Sequence, residues 1–198
     1  MKKLIPFACA VLVVSGLTSA ARAIPVLSID LDPTTAGIQD VLLVSPGGTF
    51  DIDIVISDVE ADEAIQGFEL DLTFSDAAIR ALAITPGSFL SAPTVDLSPP
   101  LASSPVSITT LSLLPVGATG SGLLATLTFE AIGAGLDTDL GLDDVVLTAP
   151  FGLRVPFETR GASVSVAPIP EPGAALLFGA GFFAVGLRVR FAHQAITR

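Results

Sequence analysis

Apolar and polar side chains alternate with a period of two through much of residues 24–167. In the segment 49–57, for example, phenylalanine or isoleucine occupies every second position. A strand with this pattern turns an apolar face inward and a polar face to water, as an antiparallel sheet requires. Nine segments have this pattern or are short apolar runs between turn residues, and we predict a strand in each. They are 27–32, 40–44, 49–57, 68–74, 79–84, 106–114, 125–131, 140–148 and 162–166.

Turn residues separate the predicted strands, as in Pro-Gly-Gly at 46–48 and Gly-Ser-Gly at 120–122. About nine short strands with such spacing indicate two sheets packed face to face, because a single sheet would leave one apolar face in water. We therefore predict an all-β fold, a nine-stranded antiparallel β-sandwich made by one domain at 24–167. Four phenylalanines fall on inward strand positions and are predicted to fill its core: Phe50, Phe68, Phe74 and Phe129.

The composition of segment 24–167 excludes most kinds of catalysis. The segment contains no Cys, His, Lys, Trp or Tyr, and it has 19 acidic residues against three arginines. It therefore cannot form a Ser-His-Asp or Cys-His site, a His-ligated metal site or a Schiff base. Two carboxylates could still cleave a glycosidic bond, but the Trp and Tyr platforms typical of sugar sites are missing. We predict that the protein is not an enzyme. The shortage of cations also argues against binding nucleic acid or an anionic membrane surface.

The N-terminal segment 1–23 has the organisation of a secretory signal peptide. Two lysines precede an apolar stretch at 4–17, and the segment ends in Ala21-Arg22-Ala23, a small-x-small pattern that signal peptidase accepts. The alternative is a membrane anchor that is never cleaved, but the apolar stretch is short for a membrane span. We predict cleavage after Ala23. The only cysteine of the chain, Cys9, would then be removed with the peptide.

The C-terminal segment 168–198 is also distinct from the middle of the chain. Its landmarks are Pro170-Glu171-Pro172, the uncharged run 173–187, and the two arginines Arg188 and Arg190. The prolines favour a stiff, extended backbone. The uncharged run followed by arginines predicts a single short transmembrane helix with its positive end in the cytoplasm.

This order of features resembles the PEP-CTERM sorting signal. The resemblance implies recognition by an exosortase, a membrane cysteine protease-transpeptidase that cuts near the Pro-Glu-Pro motif. It also implies a Gram-negative bacterium that makes extracellular polysaccharide, and a helix that lies only transiently in the inner membrane. The chain departs from the family in one respect. Its arginines are spaced, and the tail 191–198 follows them where the family has a tight basic cluster.

Four motifs of the middle segment resemble those of cohesin domains, in the same order. They are Val-Ser-Pro-Gly-Gly-Thr-Phe-Asp-Ile-Asp-Ile-Val-Ile at 44–56, Gln-Gly-Phe-Glu-Leu-Asp-Leu-Thr-Phe-Ser-Asp-Ala-Ala-Ile at 66–79, Ala-Ile-Thr-Pro-Gly-Ser-Phe-Leu at 83–90, and Gly-Ser-Gly-Leu-Leu-Ala-Thr-Leu-Thr-Phe-Glu-Ala at 120–131. The resemblance implies a jelly-roll topology, a fold shared with carbohydrate-binding modules, and a non-catalytic role. Well-known cohesins bind dockerins through one sheet face, and the calcium belongs to the dockerin. A dockerin-like partner is therefore expected.

Two pairs of acids lie on the outward faces of predicted strands. Asp51 and Asp53 belong to one strand, and Glu69 and Asp71 belong to the next. If these strands are neighbours, the four acids form a dense anionic patch that a cation or a cationic partner would relieve. The alternative is an ordinary solvated face.

A second acidic cluster lies at 137–144 and comprises Asp137, Asp139, Asp143 and Asp144. An EF-hand loop needs glycine at its sixth position and an acid at its twelfth. Here glycine is fifth and Thr148 is twelfth, so we reject that loop. Calcium bound by oxygen ligands from these four aspartates remains a hypothesis, and no other cofactor is predicted.

These features predict an exported, non-catalytic protein-interaction or adhesion module that is sorted to the cell envelope or the extracellular matrix. An outward sheet face and the loops 58–66 and 91–105 are the predicted binding elements. One alternative is a carbohydrate-binding module for exopolysaccharide. Another is a structural matrix protein without a discrete ligand.

Overall fold

The structure is a computed structural model that describes residues 23–101 and 103–169. Twelve strands form within these residues. They are β1 (Val26–Asp30), β2 (Val41–Val44), β3 (Thr49–Val59), β4 (Gly67–Thr73), β5 (Ile79–Pro86), β6 (Thr94–Asp96), β7 (Val106–Ser112), β8 (Gly120–Ala131), β9 (Asp137–Thr148), β10 (Arg154–Val155), β11 (Glu158–Arg160) and β12 (Ala162–Val166). Two short 3-10 turns, Ala61–Glu63 and Pro150–Gly152, are the only helical elements of the described chain.

The strands form two sheets that enclose one core. The first sheet has the order β11-β1-β3-β8-β5, and the second has the order β2-β12-β9-β4-β7-β6 with β10 paired to β9. The predicted all-β sandwich is therefore confirmed. Gly161 lies between β11 in the first sheet and β12 in the second, so the chain changes sheets at this residue. A Cβ atom here would lie 2.7 Å from the carbonyl oxygen of Leu140, a distance that only glycine accommodates.

The core consists of the inward residues of both sheets, as the period of two predicts. Ile52 and Ile54 of β3 are fully buried, as are Leu70 and Leu72 of β4. At one end Phe129 is fully buried. Its ring stacks on Phe50 with the ring centroids 5.8 Å apart and meets Phe74 edge-on at 5.1 Å. Phe68 is buried as well, so the prediction that these four phenylalanines fill the core is confirmed.

Two features of the predicted sandwich need correction. All nine predicted strands are present, but the described chain has twelve, because β6, β10 and β11 are only two or three residues long and have no detectable alternation. The sandwich is also not purely antiparallel. β11 pairs with β1 and β12 pairs with β2 in parallel, since the last two strands of the described residues lie beside the first two.

The two predicted binding loops are more ordered than expected. In 58–66, Asp58 and Val59 belong to β3, and Ile65 is fully buried and bridges to Ala118. The segment 91–105 contains β6, which pairs with β7. Both predictions were wrong in treating the whole segment as a loop, because the first contains the end of β3 and the buried Ile65, and the second contains β6.

The signal peptide and the PEP-CTERM segment lie outside the described residues, apart from Ala23 and residues 168–169. Neither prediction is therefore tested by the structure. Within 23–101 and 103–169, no helix has the length and apolar character needed to cross a membrane.

The importance of the aromatic core can be tested with one pair of matched substitutions. Phe129→Ala is expected to lower the free energy of unfolding by about 3–5 kcal/mol, because it leaves a cavity between the sheets. Phe151→Ala removes the same atoms from a side chain that is 96% exposed. This substitution is expected to change the free energy of unfolding by less than about 0.5 kcal/mol. Urea unfolding of residues 24–167 measures both values. Equal losses for the two variants would contradict this description of the core.

Candidate functional site

The four outward acids predicted as one patch lie on opposite sides of the sandwich. Asp51 and Asp53 are on β3 in the first sheet, whereas Glu69 and Asp71 are on β4 in the second. β3 pairs with β1 and β8, and β4 pairs with β7 and β9, so the condition that the two strands are neighbours is not met. The structure brings the acids together only in pairs.

On the first sheet, hydroxyl groups of the neighbouring strand satisfy the acids. Thr128 donates a hydrogen bond to Asp51, and Thr126 donates one to Asp53, each over 2.6 Å. Both threonines lie on β8 in direct register with their acids. This face is therefore internally hydrogen-bonded, as expected of a solvated surface rather than of a site awaiting a ligand.

Asp30 and Asp32 organise the loop that follows β1. Asp30, although largely buried, accepts hydrogen bonds from the backbone N–H groups of Asp32 (3.2 Å) and Gln39 (3.0 Å). Hydroxyl hydrogen bonds from Thr34 and Thr35 lower the pKa of Asp32 below its usual value. These acids have a structural role, because their oxygens bind the loop's own donors.

On the second sheet, the outward face contains an open depression of about 440 Å³. Its lining residues come from four strands and are Glu69, Asp71, Ser107, Asp144, Val145, Val146 and Arg154. Ser107 on β7 donates a hydrogen bond of 2.5 Å to Asp71 on β4. Arg154 forms no ion pair with any residue that the structure describes. The depression thus combines three acids, one arginine with no ion-pair partner among the described residues, and two partly buried valines.

A β-bulge gives the depression its shape. Asp71 pairs with Asp143, but Glu69 pairs with Val146, so β9 has one residue more than β4 across this step. The extra residue leaves Asp144 in the left-handed conformation, at φ 46°, and exposed on the lining of the depression. Bulges redirect side chains in this way and are common beside functional sites.

An exposed aromatic residue lies on the connection between β9 and β10, three positions before Arg154 of the depression's lining. Phe151 is 96% exposed and has a φ of 68°, and Leu153 is 66% exposed. The connection is closed by hydrogen bonds from the N–H of Ala149 to the carbonyl of Leu153 (2.7 Å) and from the N–H of Gly152 to the carbonyl of Ala149 (3.1 Å). A bulky side chain in the left-handed region costs on the order of 1 kcal/mol. This strained residue therefore presents an apolar ring to solvent.

Sequence reasoning missed Phe151 and Arg154. Neither residue belongs to an alternating segment or to an acidic cluster of the sequence. One signal was available for Phe151, which lies between Pro150 and Gly152 and therefore in a turn rather than in the core. A signal for the depression itself was the adjacent pair Asp143-Asp144, because two neighbouring acids break the period of two and indicate a bulge.

The proposed calcium ligands are spread along β9. Asp137 and Asp139 lie beside Ser165 and Ser163 of β12, whereas Asp143 and Asp144 lie at the bulge. Asp143 lies four positions after Asp139 along the strand, or about 13 Å at the usual rise. Among residues 23–101 and 103–169, no group of three or more acids, histidines or cysteines could hold a metal ion.

The architecture defines the class of fold, because solved structures with the same arrangement are cohesin modules. One is a non-cellulosomal cohesin from the archaeon Archaeoglobus fulgidus, with a TM-score of 0.57, 12% identity, and coverage of 77% of this chain and 96% of that chain. Another belongs to a family 33 glycoside hydrolase of Clostridium perfringens, with a TM-score of 0.58, 16% identity and coverage of 74% and 98%. A third is part of a type I cohesin–dockerin complex from Clostridium thermocellum, with a TM-score of 0.58, 14% identity and coverage of 74% and 95%.

The protein is therefore similar in fold to cohesin modules, and the predicted resemblance is confirmed at the level of the fold. No protein-family model and no curated protein sequence matches the chain. At these low identities the likeness concerns the sandwich alone.

The strain at Phe151 can be measured by comparing two substitutions at this position. Phe151→Gly is expected to give a higher free energy of unfolding than Phe151→Ala, by about 1 kcal/mol, because glycine adopts a positive φ without steric cost. Both variants lose the same ring, so the difference reports the backbone. Urea unfolding provides the values, and an alanine variant as stable as the glycine variant would show that the turn is unstrained.

Proposed function

We propose that the domain is a non-catalytic protein-interaction module that binds its partner through the outward face of β9, β4 and β7. The observation that carries this proposal is the depression on that face together with the exposed Phe151 on the connection that joins two of its lining strands, β9 and β10. Exposed aromatic residues and arginines are enriched in protein interfaces, and this surface offers one of each. On the opposite side, threonines satisfy Asp51 and Asp53, and a second depression of about 390 Å³ beside β5 is lined by an arginine, Arg80, that already pairs with Glu130.

The charges of the depression define the chemistry of the partner. The lining contains three acids, Glu69, Asp71 and Asp144, and a single cation, Arg154, so it is net negative. A matching partner presents basic side chains to these acids and a carboxylate or carbonyl group to Arg154. Phe151 and Leu153 supply apolar contact at the rim. Because the interface is mostly polar, its charges are expected to determine specificity and association rate more than affinity.

A dockerin-like protein is the partner class that we propose. Support comes from the cohesin-like fold and from the presence of a cohesin–dockerin complex among the similar structures. Catalysis is not part of the proposal, because residues 24–167 lack His, Lys and Cys. The carboxylates of the depression are available for recognition.

A carbohydrate-binding role is the second candidate, and one observation favours it. The ring of Phe151 is exposed enough to stack on a sugar, and hydrogen-bonding groups of the depression lie nearby. Exopolysaccharide would then be the ligand. A matrix protein without any discrete ligand is the remaining alternative, and the binding experiment below separates the three.

Export and sorting complete the proposed function. We propose that signal peptidase removes residues 1–23, with Ala21 and Ala23 as its recognition residues. An exosortase then acts near Pro170-Glu171-Pro172 while the helix at 173–187 holds the chain in the inner membrane. Arg188 and Arg190 keep the end of this helix at the cytoplasmic side. Processing would transfer the domain to the cell envelope or the extracellular polysaccharide matrix.

The interaction face can be tested by charge reversal on each side of the sandwich. Immobilised residues 24–167 are incubated with culture supernatant of the source cells, and the retained material is analysed for protein and polysaccharide. The double variant Glu69→Lys/Asp71→Lys is expected to retain at least tenfold less partner protein than the parent domain, because its lysines repel the basic groups of the partner. Asp51→Lys/Asp53→Lys makes the same charge change on the opposite face and is expected to retain the partner.

The other possible results of this experiment have distinct meanings. Equal losses for both double variants would contradict the assignment of the face and indicate a general charge effect. Recovery of polysaccharide alone, with its loss in Phe151→Ala, would favour the carbohydrate-binding alternative. A domain that retains nothing would agree with the structural matrix protein.

The sorting proposal predicts two cleavage events that mass spectrometry can measure. The exported protein is expected to begin at Ile24 and to lack residues 173–198. Substituting Pro170, Glu171 and Pro172 together with alanine should leave the C-terminal segment attached and the chain in the membrane fraction. An alanine variant that is trimmed and released like the parent protein would refute recognition by an exosortase.

A further inference from the structure

The strand β2 is an apolar edge of the second sheet. It is the outermost strand on its side, and its sequence, Val41-Leu42-Leu43-Val44, contains no charge. Val41 and Leu43 are each 71% exposed on the outward face. Exposed edges of this kind are usually blunted by charge, by proline or by a covering loop, because they pair readily with other strands.

The backbone N–H and C=O groups of β2 point alternately to the two sides of the strand, and only one side is hydrogen-bonded in the described chain. The carbonyl group of Asp40 accepts a hydrogen bond from Ser163 of β12, and that of Val44 accepts one from Ala167, the residue after β12, so this side of β2 is paired. Because successive residues point their backbone groups in opposite directions, Val41 and Leu43 direct their N–H and C=O groups away from β12. These four groups have no strand beside them in the part of the chain that the structure describes.

The residues that flank β2 already use their backbone groups. The carbonyl of Ser45 accepts a hydrogen bond from Gly48, over 3.0 Å. At the other end, the carbonyl of Gln39 accepts from Leu31, and the N–H of Gln39 donates to Asp30. Only Val41 and Leu43 therefore have donors and acceptors available at this edge.

We infer that β2 pairs antiparallel with β2 of a second copy of this chain, across a two-fold axis at Leu42. This register uses every unpaired N–H and C=O group of Val41 and Leu43. Val41 exchanges two hydrogen bonds with Leu43 of the second copy, and Leu43 exchanges two with Val41 of the second copy. Registers centred on Val41 or Leu43 would need the occupied groups of Gln39 or Ser45. The positions of the unpaired groups on β2 are thus complementary to those of a second β2 strand in this register.

The side chains agree with the same register. The two-fold axis keeps outward residues on the outward face, so Val41 packs beside Leu43 of the second copy and the exposed apolar pairs cover each other. The nearest acids are also compatible. Asp40 falls opposite Val44 of the second copy, so no like charges meet directly. The two second sheets would form one continuous sheet.

The size of the contact determines how strong the association is. Two paired strands of four residues bury much less than the roughly 800 Å² per partner of a standard stable complex. The segment 24–167 of each copy also has 19 acids against three arginines, so the copies repel each other when salt is low. We therefore expect association that becomes stronger with ionic strength and matters where copies are concentrated on a surface.

Disulfide trapping tests both the edge and the register. Residues 24–167 contain no cysteine, so Val41→Cys and Leu43→Cys each introduce the only thiol. In the proposed register these positions are hydrogen-bonded partners with Cα atoms about 5.5 Å apart, a suitable separation for a disulfide. The two variants, distinguished by mass, are mixed in equal amounts in a glutathione buffer with 0.5 M NaCl.

The ratio of the trapped dimers decides the outcome. Chance collisions give half mixed and half like-with-like dimers, whereas the proposed register should give at least fourfold more mixed than like-with-like dimers. A Val116→Cys variant, at a position 72% exposed but away from β2, should give the chance ratio when mixed with Val41→Cys. A chance ratio for the Val41→Cys and Leu43→Cys mixture would overturn the inference. The edge lies apart from the depression, so Glu69→Lys/Asp71→Lys should leave the ratio unchanged.

Discussion

The packing of two apolar sheet faces against each other is the interaction on which the structure depends. The described segment has no disulfide, because residues 24–167 contain no cysteine, and no cluster within it could hold a metal ion. Stability must therefore come from buried aliphatic side chains and from the aromatic group around Phe129, where Phe50 and Phe74 contact the same ring. Every other feature, including the depression and the free edge, is displayed on the outside of this core.

The acidic composition has a structural counterpart in hydroxyl groups. With only three arginines in the domain, most acids cannot form ion pairs, and several accept hydrogen bonds from threonine or serine on the neighbouring strand. Thr126 and Thr128 act in this way on the first sheet, and Ser107 and Thr73 on the second. Arg80 is the exception and pairs with Glu130. Neutral hydroxyl groups therefore stabilise many carboxylates on the surface without a matching number of cations.

Most of the fold could be predicted from the sequence, whereas the site could be predicted only in part. Alternation reveals which face of a strand is buried, and this was sufficient for nine strands and for the core position of Phe129. Alternation does not reveal which strands are neighbours. For this reason Asp51 and Glu69 were provisionally grouped in one patch although their strands belong to different sheets. Short strands such as β10 carry too few residues for any period, and although Pro150 and Gly152 indicate a turn at Phe151, they do not indicate which strands that turn joins.

The way in which the last strands join the sandwich has a mechanical consequence. β12 is hydrogen-bonded on both sides, to β9 and to β2, and β1 is held in the same way between β11 and β3. Tension applied between the two ends of the domain would therefore act along strands that are hydrogen-bonded to a neighbour on each side. Such a force loads many hydrogen bonds at once in shear, instead of breaking them one after another. A domain tethered at one end and pulled at the other would resist extension at its terminal strands.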